Sequence, residues 1–182
     1  MSGQKRVDLS MKVVLPCKQE YDRRNEGDFM AIEQAREYLK QWGLQDQIIE
    51  LDQSSATVAL AAQALHTEEA RIAKTMSFMV KEQPVLVVMA GDEKIDNAKY
   101  RGFFHCKAKM LGYDEVEPVI GHPVGGVCPF GIHEGVDVYL DESLKRFETV
   151  YPACGSGNSA IELTPEKLYE VSGARQWVDV CK

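Results

Sequence analysis

Two short strand-like runs lying back to back constrain this chain more than any other feature. Lys74-Thr75-Met76-Ser77-Phe78-Met79-Val80 and Val85-Leu86-Val87-Val88-Met89-Ala90 are separated only by Lys81-Glu82-Gln83-Pro84, apolar runs joined by a turn-forming segment. The second is the longest uninterrupted apolar run in the chain. It is far shorter than the roughly 20 residues a helix needs to cross a bilayer, so no membrane partner is expected. Helical periods surround the pair. Ile32, Ala35, Tyr38, Leu39 and Trp42 recur at helical spacing, with Gly43 where a C-terminal cap belongs. Thr57–Leu65 reads as an Ala-rich helix, Thr67-Glu68-Glu69 caps a brief second one, and Asp96 caps another running to about Phe104. Asp114 with Glu117 makes a capping-box pattern, and Thr164-Pro165 opens a helix with an N-cap and a first-turn proline. Strands are expected at Gln47–Leu51, Val136–Leu140, near Thr149 and over Ser159–Leu163, with a helix at Glu142–Phe147. The alternation predicts one α/β domain, and a chain of 182 residues buries roughly 70% of its unfolded surface.

The N-terminal stretch differs. Lys18–Asp28 is charged and has no apolar period, so residues 1–29 are expected to form a flexible extension ahead of a domain over residues 30–182. A bacterial source would offer a second explanation. Glu26-Gly27 requires the codons GAR-GGN, a purine run like a ribosome-binding site just ahead of Met30. Residues 1–29 would then be a misassigned leader, a reading that N-terminal sequencing from Met1 or Ser2 contradicts. With 21 Lys+Arg against 28 Asp+Glu the net charge is −7. This excludes a general nucleic-acid coat and argues against DNA as a partner, but a local basic patch remains compatible with one end of a nucleic acid. The cysteines Cys17, Cys106, Cys128, Cys154 and Cys181 are odd in number and form no CxxC pair. Free thiols in a reducing, cytoplasmic compartment are expected.

Lys74 is the most informative single residue. Strand alternation puts it on one face with Met76, Phe78 and Val80, where an amine is costly unless it meets an anion, a carbonyl or a ligand. Its strand-end position also lets it snorkel to water, the reading that pattern alone favours. Two glycine-rich loops follow. Gly121-His122-Pro123-Val124-Gly125-Gly126-Val127-Cys128-Pro129-Phe130-Gly131 is longer than a turn needs, and its backbone N–H groups suit an oxyanion or phosphate; a tight connection needing positive φ explains it equally. Cys154-Gly155-Ser156-Gly157-Asn158-Ser159 contains a G-x-G-x-x-A match. A dinucleotide fingerprint must open a helix, whereas Ile161-Glu162-Leu163 reads as a strand, so that assignment is rejected. His122, Cys128 and His133 fit no standard metal spacing. No G-x-S-x-G elbow is present, and Cys128 or Cys154 as nucleophile has no neighbour to lower its pKa. From Asn97 to Tyr113 there are Lys99, Arg101, Lys107 and Lys109 with no acid, interleaved with Tyr100, Phe103, Phe104 and Tyr113. Cations among aromatics suit phosphates and a stacked base; an amphipathic helix with core aromatics and solvated lysines is the alternative.

Together these segments resemble the YbaK/ProX family of aminoacyl-tRNA editing domains, found free-standing or inserted in prolyl-tRNA synthetases. The similarity runs from about Glu33 to Val180. It is carried by Arg71-Ile72-Ala73-Lys74-Thr75, Met89-Ala90-Gly91-Asp92, the Gly121–Gly131 loop, Tyr151-Pro152-Ala153-Cys154-Gly155-Ser156 and Ser159-Ala160-Ile161-Glu162-Leu163-Thr164, in the family's order. The resemblance implies an α/β (α+β) fold with a mixed, barrel-like sheet packed with helices, no metal and no cofactor. It further implies hydrolysis of the ester joining a wrong amino acid to tRNA.

On that resemblance Lys74 falls at the position of the family's essential lysine. The G-x-x-x-P loop that holds the substrate's carbonyl end matches Gly125–Pro129, and Gly155, Ser156, Asn158 and Ser159 lie in the pocket-lining loop. Gly125, Gly126 and Val127 are then expected to supply N–H groups for the oxyanion, with Cys128 and Pro129 on the substrate. Lys99, Arg101, Lys107 and Lys109 are expected to meet the acceptor end of the tRNA. The logic is that a synthetase pocket separates amino acids differing by one methylene by only about 1–3 kcal/mol, so a second hydrolytic site restores fidelity. Cys-tRNA(Pro) or Ala-tRNA(Pro) is the expected substrate, with prolyl-tRNA synthetase as candidate partner. The competing reading is a non-catalytic module that binds a tRNA 3′ end, an amino acid or an adenylate-like ligand and regulates a partner.

Overall fold

The computed structural model describes residues 18–182, with side chains from Phe29 onward. Of the extension expected over residues 1–29, residues 1–17 lie outside the described residues. Helix α1 (Lys18–Lys40) passes through Met30 without a break, so secondary structure marks no boundary there. The helix stops where the sequence reading put the stop, at Gly43 with φ +68°.

Along the chain follow β1 (Ile49–Glu50), α2 (Val58–Ala64), β2 (Ile72–Val80) and β3 (Gln83–Ala90). Then come α3 (Asn97–Phe104), α4 (Tyr113–Ile120), β4 (Asp137–Asp141), β5 (Tyr151–Pro152) and β6 (Ser159–Ala160). Helix α5 (Pro165–Ser172) and β7 (Gln176–Val178) close it. Local chemistry explains the helix starts. Thr57 Oγ1 accepts from the Leu60 N–H, Asp96 from Ala98 and Lys99, and Thr164 from Lys167. Two expectations needed correction. Helix α4 begins at Gly112, whose N–H donates to Glu115 at 2.7 Å, and is not capped by Asp114 and Glu117. Glu142–Arg146 is a short 3-10 turn in place of an α-helix. Strand β7 had no signal in the sequence.

A five-stranded mixed sheet in the order β5-β2-β3-β4-β7 curls into a half-barrel, and β1 pairs with β6 beside it. The β2–β3 pair is antiparallel, with Lys74 opposite Met89, and the other pairings in this sheet are parallel. The sheet is buried on both faces, which is why β3 reads as an unbroken apolar run. Leu86, Val88 and Ala90 meet α1, α4 and α5 through Leu39, Ile120 and Leu168. Val85, Val87 and Met89 meet Tyr100 and Phe104 of α3. Tyr100 and Phe104 are therefore core residues, correcting any role for them on an RNA surface.

One buried carboxylate staples the sheet's far end. Asp141 accepts from the Ser143 N–H at 3.0 Å and from the buried Val180 N–H at 2.9 Å. A hydrogen bond to a charged group contributes about 1.5–3 kcal/mol. We predict that Asp141→Ala lowers Tm by roughly 3–12 °C, with Asp141→Asn losing less; differential scanning calorimetry checks it.

Candidate active site: a cavity at the interrupted edge of β2

The site arises where a strand loses its neighbour. On one edge β2 pairs with β5 only at Ile72 and Ala73. Further along the same edge, Ser77 O accepts from the Leu111 N–H at 3.1 Å and the Met79 N–H donates to Lys109 O at 2.8 Å. Between these contacts the edge stands open at Thr75. Hydrogen-bonding direction alternates along an antiparallel strand, so the Thr75 backbone groups face the opening as those of Ser77 and Met79 face Lys109–Leu111. The Thr75 hydroxyl is also buried without a partner. A cavity of about 400 Å³ fills this gap, and every residue from Ile72 to Ser77 borders it. The far wall comes from α2 through Val58 and Ala61, from Met110 and Tyr113 ahead of and within α4, and from Gly125 and Val127.

The lining is largely apolar, and Lys74 is the one Lys, Arg, Asp or Glu among the described lining residues. Strand alternation puts Lys74 on the α3 side with Met76, Phe78 and Val80, as expected, while Ala73 and Met79 pack on the other face. The Lys74 amine donates to Gly91 O at 2.9 Å and to Glu93 O. It is thus held by the turn after β3 and by neither glycine loop. Burial pulls its pKa down, with Asp92 and Glu93 opposing. An ammonium has three N–H donors, so one remains beyond the two carbonyls. Asp92 is itself committed to Arg146 at 2.5 Å.

The two glycine loops meet back to back. A Cβ on Gly126 would lie 2.5 Å from Gly155 O and 2.7 Å from Ser156 Cα, so only glycine permits the contact. Gly155, at φ +89°, similarly presses on Ala31 of α1. Gly125 and Val127 border the cavity and Gly126 does not. The Gly126 N–H donates to Pro123 O at 3.0 Å, which removes it as an oxyanion donor. Among the described residues the N–H groups of Gly125 and Val127 have no acceptor.

Other expected residues serve the scaffold. Cys128 and Pro129 are buried beneath the loop and do not border the cavity. Burial pushes the Cys128 thiol up to about 12 and Cys154 in the same direction, so neither is a thiolate nucleophile at neutral pH. Ser156 Oγ lies 2.8 Å from Ser159 Oγ, and Asn158 Nδ2 donates to Leu51 O at 3.2 Å. These bonds brace the loop; Ser159 alone of Gly155, Ser156, Asn158 and Ser159 reaches the cavity. Lys99 is tied to Asp179 at 2.7 Å and to Cys181 O at 2.8 Å. Arg101, Lys107 and Lys109 are exposed, and the last two lead directly into Met110. Sequence reasoning missed the α2 wall, Met110 and Val124, because an Ala-rich helix and scattered apolar residues look the same in a core. Among the described residues, no three His, Cys, Asp or Glu side chains gather as a metal set. No described helix is long and apolar enough to cross a membrane.

The sequence and the fold match known proteins. Residues 52–171 match the family described as the aminoacyl-tRNA editing domain. The chain is 51% identical over 154 residues to the uncharacterised protein YwhH of Bacillus subtilis (strain 168), covering 84% of this chain and 98% of that one. It is 27% identical over 112 residues to the proline–tRNA ligase of Bacillus cytotoxicus, covering 59% of this chain and only 19% of the ligase. A solved structure described as a proposed trans-editing enzyme for prolyl-tRNA synthetase superposes with a TM-score of 0.76 at 27% identity, covering 84% of this chain and 97% of that one. The architecture is that of an editing domain built around a half-barrel. The chain belongs to the aminoacyl-tRNA editing domain family.

His122 gives the loop a pH signature. Its Nδ1 accepts the Cys128 N–H at 3.4 Å, doing the work of a backbone carbonyl, and burial lowers its pKa to about 4. The unfolded chain binds the proton more readily between pH 6.5 and 4, so stability falls as pH drops through that window, by roughly 3 kcal/mol in total. We predict that His122→Asn, which keeps an acceptor near Nδ1, flattens this slope in urea titrations at pH 4, 5 and 7. The companion variant Gly126→Ala must part the two loops, and is expected to lose stability by 1–3 kcal/mol, as overpacking does.

Proposed function

We propose that this chain is a trans-acting deacylase that hydrolyses the ester of a mischarged tRNA, with Cys-tRNA(Pro) or Ala-tRNA(Pro) as substrate. One observation supports this above others. A largely apolar cavity at an open strand edge is bordered by Lys74, whose amine is half-buried, and by Gly125 and Val127, whose N–H groups have no acceptor among the described residues, in a chain of the editing-domain family.

In this reading the aminoacyl side chain enters between β2 and α2, against Val58 and Ala61. The ester carbonyl oxygen sits on the Gly125 and Val127 amides, which stabilise charge as it develops. The free N–H of Lys74 holds the carbonyl or the adjacent phosphate. Water adds to the carbonyl carbon, the bond to the ribose oxygen breaks, and the ribose oxygen takes the proton. An aminoacyl ester is activated already, so the lack of a His, Asp or Glu base among the described lining residues is no obstacle. The same lack supports the second reading, a module that binds the 3′ end without turnover.

A deacylation panel with Ala-, Cys-, Ser- and Pro-charged tRNA separates the two. The deacylase reading predicts amino-acid release tens of times above the spontaneous rate, selective for a non-cognate charge, and its loss in Lys74→Ala with the fold retained by circular dichroism. A thermal shift with ligand and no release, or unchanged turnover in Lys74→Ala, contradicts it. Because the ammonium is the working form and its pKa lies below the ordinary lysine value, the enzymatic excess over background should fall as pH rises, before 10.5. That limb should be absent in Lys74→Ala.

A further inference from the structure

An exposed aromatic at the mouth of this cavity points to a nucleobase site. Tyr113 is 74% exposed, Met110 55% and Val124 49%, and all three border the cavity. Single exposed apolar residues need no explanation, but three sharing one rim mark a binding surface. The rim is also firmly mounted. Lys109 and Leu111 on either side of Met110 are hydrogen-bonded to β2, and the Gly112 N–H is fixed by Glu115 just before Tyr113.

We propose that Tyr113, flanked by Met110 and Val124, is the stacking platform for the base of the tRNA's terminal nucleotide. This rests on the reading that the cavity takes the aminoacyl group. The ribose that carries the ester must then lie at the mouth, and its base beside it. Tyr113 is the exposed aromatic side chain among the described lining residues; Tyr151, the other aromatic there, lies half-buried beneath the Arg71 guanidinium. Charge sets the direction of the chain. Exposed Lys107 and Lys109 precede the rim residue Met110 in the chain, while exposed Asp114, Glu115 and Glu117 follow Tyr113 along α4. A phosphate backbone leaving the mouth is drawn along 107–109 and repelled from α4. The aromatics Tyr100 and Phe104, buried under α3, leave this work to Tyr113.

The test is a binding cycle that needs no turnover. The probe is an uncharged acceptor-stem minihelix ending in adenine, or the same RNA with an abasic terminal ribose, measured by fluorescence anisotropy against the wild type, Tyr113→Ala and Tyr113→Trp. Stacking of one base corresponds to a change in Kd of about 5- to 150-fold. The platform predicts that Tyr113→Ala weakens binding of the adenine RNA by roughly tenfold, leaves the abasic RNA unaffected, and that Tyr113→Trp binds at least as well as the wild type. Equal effects on both RNAs, or none on either, overturn it, and the rim is then a surface for another kind of partner. A wild type that deacylates while Tyr113→Ala binds normally defeats this inference and leaves the deacylase reading standing. Base-dependent binding without deacylation does the reverse.

Discussion

Everything at this site depends on β2 having a partner along only part of one edge. A strand with unpaired backbone groups is normally a hazard that proteins cover, and here β5 covers one end and Lys109–Leu111 the other. The stretch between them, centred on Thr75, is left open and is walled by α2 and the first glycine loop. The interruption makes both the cavity and its chemistry. Residues of β2 from both faces reach the opening, so a lysine that strand alternation sends toward α3 still borders it. The buried, unpartnered Thr75 hydroxyl is a cost at the same spot, as expected where a protein gives up stability for a binding surface.

The glycine loops show a division of labour that a motif alone does not express. Gly126 and Gly155 are spacers that let two backbones touch. The Gly126 amide is consumed in a turn, while Gly125 and Val127, which border the cavity, have N–H groups without an acceptor among the described residues. His122, buried below, substitutes for a carbonyl and ties the loop's end to its beginning. Arg71 stacks over Tyr151 at 5.0 Å and bonds Thr149 O at 3.0 Å, which fixes the floor. The machinery is largely backbone held by buried side chains, and this suits a reaction whose ester needs stabilised charge more than a strong base.

Much of this was legible in the sequence, for identifiable reasons. The β2–β3 pair, the Asp96 and Thr164 caps and the glycine at position 43 are local signals, and local chemistry decided them. The alternation of β2 correctly separated Lys74, Met76 and Phe78 from Ala73 and Met79. The roles of Cys128, Ser156 and Asn158 were not legible, because a polar or glycine-rich loop looks the same whether its side chains face a ligand or brace each other. Neither was the partner of Lys74, since the Gly91 and Glu93 carbonyls come from a turn whose position only the folded sheet defines. The α4 start was misplaced because two acids three apart imitate a capping box, whereas the Glu115 carboxylate caps the Gly112 N–H two residues earlier. Strand β7 is too short to show a period, and it exists because β4 offers it an edge.

The most direct measurement is a crystal structure with a non-hydrolysable 3′-aminoacylamino-3′-deoxyadenosine carrying an alanyl group. The account predicts the alanyl methyl between β2 and Ala61, the carbonyl oxygen within hydrogen-bond distance of the Gly125 and Val127 amides, and the adenine at the cavity mouth. An analogue bound outside the gap in β2, or one whose carbonyl oxygen meets neither amide, contradicts it.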